Sequence, residues 1–123
     1  MPDLTVTNLD HPLRTPLRAS TCATPMCHLF GLSFRKTIPA DWGLLFDNRR
    51  DTRFDTTMHS MWMRFTIGMV WITEAGEVVD KMSVRPWKLM LRPERAARYV
   101  LELLPERLEE FYLGDTIKFE EVD

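Results

Sequence analysis

Histidine, cysteine and methionine crowd two short stretches of this chain. Met26-Cys27-His28 follows Cys22, and Met58-His59 is followed by Met61 and Met63. Thiolate, imidazole and thioether are the ligands that hold zinc or copper(I). The spacing argues against a site. Cys22, Cys27 and His28 form C-x4-C-H, without the short paired spacing or the four ligands of a structural zinc centre. On an extended segment His59, Met61 and Met63 share one face, but methionine in a strand ordinarily fills a core. No metal and no cofactor is therefore expected, with Cys22, Cys27 and His28 as the weak candidates if one is bound. A cysteine–histidine nucleophile is also disfavoured. Cys27 and His28 are neighbours whose side chains diverge, and no third orienting residue stands near Cys27 and His59. Asp80, inside a strand, is the acid expected to be enclosed, whereas Glu109-Glu110 and Glu120-Glu121 read as solvated faces.

Aromatic and basic residues meet at Trp62, Arg64, Arg85 and Trp87. With His59 they are the candidate ligand-binding residues, suited to an anion, a sugar or a peptide. The competing reading places both tryptophans in the core, since tryptophan is highly buried on average, with the arginines snorkelling outward. A glycine-rich phosphate loop is absent from the sequence, because none of the five glycines precedes a Gly-Lys-Ser/Thr.

These residues are positioned by strands. Residues 58–73 are the densest run of bulky, strand-forming side chains and are expected to form two strands, 58–64 and 68–73, joined near Phe65 and Gly68. Residues 4–9 alternate with period two, as do 98–103 and 116–120. Residues 13–19, 43–46 and 78–84 are further strands, and Gly76 supplies the turn before the last of these. Residues 26–34 are a weak helix interrupted by Gly31. Residues 105–113 are the best helix, opened by Pro105 and closed by Gly114. Residues 47–57 are polar and aperiodic, and read as a solvated loop. The sum is a mainly β fold: a compact antiparallel sandwich or barrel of about eight short strands with one or two short helices.

The chain has 123 residues, of which 45% are hydrophobic and 28% charged, and its net charge is -2. That fits a single soluble domain over residues 1–123. It supplies no global field to recruit nucleic acid or an acidic membrane. The N-terminal residues show no basic-then-apolar leader and no apolar run reaches spanning length. A cytoplasmic protein without nucleic-acid or membrane partners is expected, and its two cysteines are expected to be reduced.

In order, Gly31-Leu32-Ser33-Phe34-Arg35-Lys36, Ile38-Pro39, Gly43-Leu44-Leu45-Phe46, Met63-Arg64-Phe65, Gly76-Glu77-Val78-Val79, Arg85-Pro86-Trp87, Ala97-Arg98-Tyr99-Val100-Leu101-Glu102-Leu103 and Gly114-Asp115 resemble the segments of the family called domain of unknown function 192. The resemblance covers nearly the whole chain. It implies a compact, mainly antiparallel β domain with one or two short helices, and no established activity. It also marks departures. Where the family continues after Met63-Arg64-Phe65 with proline, a hydrophobic residue and aspartate, this chain has Thr66, Ile67 and Gly68. His28 and Phe30 stand where relatives carry arginines, and Thr73 where they carry an acid. A polar site built on that aspartate would lack its carboxylate here. Three functions follow as expectations: a non-enzymatic binding or accessory module, an enzyme using His59 and residues 47–57, or a homo-oligomer formed through an edge strand.

Overall fold

The computed structural model describes residues 3–122. Seven strands form one sheet: β1 (Asp3–Asn8), β2 (Leu17–Cys22), β3 (Trp42–Thr52), β4 (Ile67–Ile72), β5 (Val78–Val84), β6 (Ala97–Leu103) and β7 (Ile117–Glu121). A short helix, α1 (Pro25–Phe30), follows β2, and a 3-10 helix (Pro105–Glu110) follows β6. The strand order is β5-β4-β6-β3-β2-β1-β7. All neighbours are antiparallel except β2 and β3. That parallel pair needs a crossover, and α1 with residues 31–41 supplies it. The fold is mainly β, as expected, in an open sheet rather than a closed barrel.

The sheet curls until its two edges touch. Ile117 N–H donates to Gly76 O at 2.7 Å and Val78 N–H to Asp115 O at 2.9 Å. Gly76 has φ +96°, and a Cβ there would lie 2.6 Å from Ile117 O, so only glycine fits this junction.

Both faces of the sheet are apolar because its central strands are enclosed on both sides. Every residue of β4 is buried. Ile67, Met69 and Trp71 face one cluster with Phe46, Val100 and Met63, while Val70 and Ile72 face the other with Leu101, Leu103 and Phe111. The period-two alternation thus sorts one strand between two cores. The second cluster lies inside the curl and is closed by Phe111 and Leu108. The first is covered by connections that contribute Leu32, Ile38, Met58, Met63 and Leu91.

Several sequence expectations are corrected. Residues 58–64 are not a strand: Met58 alone bridges to Leu91, and Trp62 has φ +60°. Their apolar side chains lie over the sheet instead of forming it, so β4 pairs with β5 and β6. Residues 47–52 extend β3 past a bulge, with Asp47 opposite Tyr99 and Thr52 opposite Ala97. The polar composition reflects the exposed side of the bulge, not a loop. The best predicted helix is a 3-10 segment that stops at Glu110. Cys22 and Cys27 are joined in a disulfide. Thr24 caps α1 by accepting from Cys27 N–H, and that tight entry brings the two Cα atoms to 5.6 Å, inside the disulfide range.

Candidate functional site

The connections covering the first core build an exposed aromatic cluster. Ser60, fully buried, fastens two of them together. Its N–H donates to Lys88 O at 2.9 Å, its hydroxyl donates to Arg85 O at 2.7 Å, and its carbonyl accepts from Trp87 N–H at 2.8 Å. Phe34 N–H donates to Trp62 O at 2.9 Å and ties in the third connection. The backbone is thereby held so that Trp62 and Trp87 meet edge to face at 5.8 Å, with Phe34 and Phe30 each 6.2 Å from Trp62. These are ordinary aromatic pairing distances. Trp62, Trp87 and Phe34 nevertheless remain 41%, 56% and 58% exposed. The expectation of core burial for the two tryptophans therefore fails: Ser60 anchors their backbone while their rings point outward.

The backbone under this cluster is strained. Among the described residues five non-glycines have positive φ, and four of them are Phe34, Trp62, Trp87 and Met90. The left-handed region costs an L-residue roughly 1–2 kcal/mol, and such strain gathers where structure serves a site.

Arg64, Arg85, Lys36 and Lys88 belong to the same connections and are exposed, as is Arg35, whose guanidinium lies 5.5 Å over the Trp42 ring. None of the five joins an ion pair among the described residues. Residues 23–40, 56–66 and 85–93, which include these connections, contain no aspartate or glutamate. Trp62 and Trp87 meet in the cluster, Arg64 and Arg85 are exposed and each stands two residues along the chain from one of them, and none of the four lines any of four clefts found on the surface. His59 serves a different purpose. Its Nδ1 accepts from Met61 N–H at 3.1 Å, which leaves Nε2 to donate to Leu29 O at 2.7 Å. With both nitrogens occupied, His59 braces α1 against the 58–63 connection. The sulfurs of Cys22 and Cys27 are consumed by their disulfide, which withdraws them as metal ligands. His28 packs edge-on against Phe46.

Sequence reasoning missed Glu102. It sits on β6 at 3% exposure, beside a small cavity it shares with His28, Ser33, Phe46, Thr57, His59 and Met63. Burial alone pushes its carboxyl up to about 8. The signal was available: Glu102 shares a strand face with buried Val100 inside an otherwise apolar run. Phe30 and Phe34 were missed because nothing local announces that they meet Trp62. The enclosed acids are Glu102, Glu110 and Asp115, rather than Asp80. Asp80 is half-buried and accepts from the N–H groups of Lys81 and Glu94.

Gly68, where relatives were expected to place an acid, lies under the 3-10 helix. A Cβ there would come within 2.9 Å of Leu108 Cγ and 3.0 Å of Leu103 Cδ1. This packing has no room for a carboxylate.

A family model for domain of unknown function 192, described as "Uncharacterized ACR", matches residues 6–119. A UPF0127 protein of Pyrococcus furiosus is 33% identical over 72 residues, covering 58% of this chain and 59% of that protein. One of Pyrococcus abyssi is 36% identical over 59 residues, 48% of this chain and 50% of that protein. The chain thus aligns with half to three fifths of the length of these two relatives. A crystal structure of a candidate transcription regulator from Sinorhizobium meliloti 1021 superposes with TM-score 0.82 at 18% identity, covering 96% of this chain and 92% of that one. A protein of unknown function from Novosphingobium aromaticivorans gives 0.79 at 17% identity, covering 94% and 83%. At these identities the two structures share the fold.

Proposed function

The chain belongs to the domain of unknown function 192 family, and on that premise we propose that it is a small non-enzymatic binding module that offers its aromatic–cationic face to an anionic partner. One observation carries this reading: the connections that build an exposed aromatic cluster also carry exposed Lys36, Arg64, Arg85 and Lys88 without carboxylate partners, on a chain whose net charge is -2. The negative charge therefore lies elsewhere, and the face is locally positive. Aromatic rings add dispersion and cation–π contact to whatever the cations attract.

Retention on a strong cation exchanger at about pH 8 tests it, because net charge alone would send this protein through the column. The expected result is retention that is lost in Arg64→Glu/Arg85→Glu. Passage of the unaltered chain in the flow-through overturns the reading.

An enzyme centred on His59 and residues 47–57 has less support. Both histidine nitrogens are engaged and most of that segment is strand. No helix among the described residues is long and apolar enough to cross a membrane. The cytoplasmic address expected from the sequence remains a proposal, and the Cys22–Cys27 disulfide weighs against it, since disulfides persist in oxidising compartments.

A further inference from the structure

We propose that the aromatic–cationic face docks on the surface of an anionic lipid bilayer, an inference that rests on the binding reading above and names its partner. Whole-chain charge argues against a membrane partner, but a bilayer meets only the face turned toward it, because salt screens more distant charge within about 8–10 Å. The connections that build that face carry exposed Lys36, Arg64, Arg85 and Lys88, and the three segments they belong to hold no acidic residue.

The apolar groups are of the interfacial kind. Tryptophan and phenylalanine with flanking lysine and arginine are what peripheral proteins place at the headgroup boundary. Here Trp62, Trp87 and Phe34 stand out from the surface, and Leu29, Leu89 and Met90 in the same connections are 55%, 65% and 67% exposed. Exposed apolar residues gathered in this way mark an interaction surface.

A peptide or a small molecule would want a groove, a pocket or a sheet edge. None of the four clefts is lined by Trp62 or Trp87, the one that reaches Phe30 is small, and the sheet edges are β5 and β7, whereas the cluster stands on connections. A bilayer needs no concavity. It needs outward apolar side chains at one level, ringed by cations. Phe34, Trp62, Trp87 and Met90 combine left-handed backbone with exposed side chains, which fits that demand.

The full chain is mixed with vesicles of phosphatidylcholine alone or of equimolar phosphatidylcholine and phosphatidylglycerol, and followed by co-sedimentation and tryptophan emission. Trp71 is fully buried and Trp42 half-buried with its indole N–H bonded to Ser20 Oγ, so a blue shift reports Trp62 and Trp87. Expected are co-sedimentation with the anionic vesicles, a blue shift, and binding at least roughly tenfold weaker in about 0.5 M salt. Trp62→Ala/Trp87→Ala and Arg64→Glu/Arg85→Glu should each weaken it by a similar factor, while far-ultraviolet circular dichroism stays unchanged. Poly-L-glutamate and duplex DNA are titrated in parallel. A response to either polymer without vesicle binding overturns the membrane proposal and leaves the anionic-partner reading standing. No response to any of the four overturns both. Equal, salt-insensitive binding to both vesicle types overturns the anionic bilayer as the partner.

Discussion

Two regions of this protein treat charge in opposite ways. Around the 3-10 helix, polar groups are matched. Arg107 and Glu110 are both buried and paired, and Arg107 also donates to Ala40 O at 2.8 Å and Thr15 O at 2.9 Å. Nearby, Asp115 accepts from Asn8 Nδ2 at 2.7 Å and from Tyr112 N–H at 3.0 Å, and meets His11 Nδ1 at 2.8 Å. Burial would push Asp115 up, but these hydrogen bonds hold it below the ordinary carboxylate range. On the aromatic–cationic face the cations are unmatched and the backbone is strained. A saturated network ties residues 8–15 to residues 107–115. An unsaturated one leaves interaction capacity for something outside the chain.

The largest effect should come from breaking the saturated region. Arg107→Ala leaves buried Glu110 with Arg14 alone, through its N–H at 2.8 Å and its guanidinium at 3.4 Å, and two backbone carbonyls unserved, and should cost about 3 kcal/mol in urea unfolding. A cost below about 1 kcal/mol would reduce the pair to a surface interaction and remove the contrast.

Glu102 gives the next effect, because it is the one buried acid without a matched partner among the described residues. Folding raises its carboxyl from 4.5 to about 8. The folded state then holds a proton that the unfolded chain releases, so the stability present in acid is lost as pH rises through that window. Unfolding midpoints should fall from about pH 5 to about pH 8 by the equivalent of a few kcal/mol, and Glu102→Gln should flatten the fall. An unchanged slope in the variant would place the titrating group elsewhere.

The smallest effect should come from the strained face. Trp62→Gly and Trp87→Gly remove exposed rings and relieve left-handed backbone, so stability should stay level or rise by up to about 1 kcal/mol. A loss above about 2 kcal/mol would make these tryptophans structural and erase the difference between the two regions.

Much of the framework was legible because it is local. The alternation in residues 4–9, 78–84, 98–103 and 116–120 became β1, β5, β6 and β7. The long apolar run misled over its first half. A run such as 58–64 looks alike whether it forms a sheet or lies over one, and only its partner decides. Of the proposed face, Trp62, Arg64, Arg85 and Trp87 were singled out by type as candidates, while Phe30, Phe34 and the strained backbone were not. His59 was chosen for its chemistry, which two backbone partners have already taken up.

The sequence by itself determined that the chain is a mainly β domain of this family, since side-chain periodicity and segment order are properties of the string. It also determined that residues 23–40, 56–66 and 85–93 hold cations and no acid. The tertiary structure alone decided that those segments share one face, that Trp71 is buried while Trp62 and Trp87 are exposed, that Glu102 is enclosed, and that Cys22 reaches Cys27. The physical reason is common to the first three. Burial and proton affinity depend on which atoms surround a group, and most of those surroundings come from far along the chain, whereas the Cys22–Cys27 link is set by the local turn into α1.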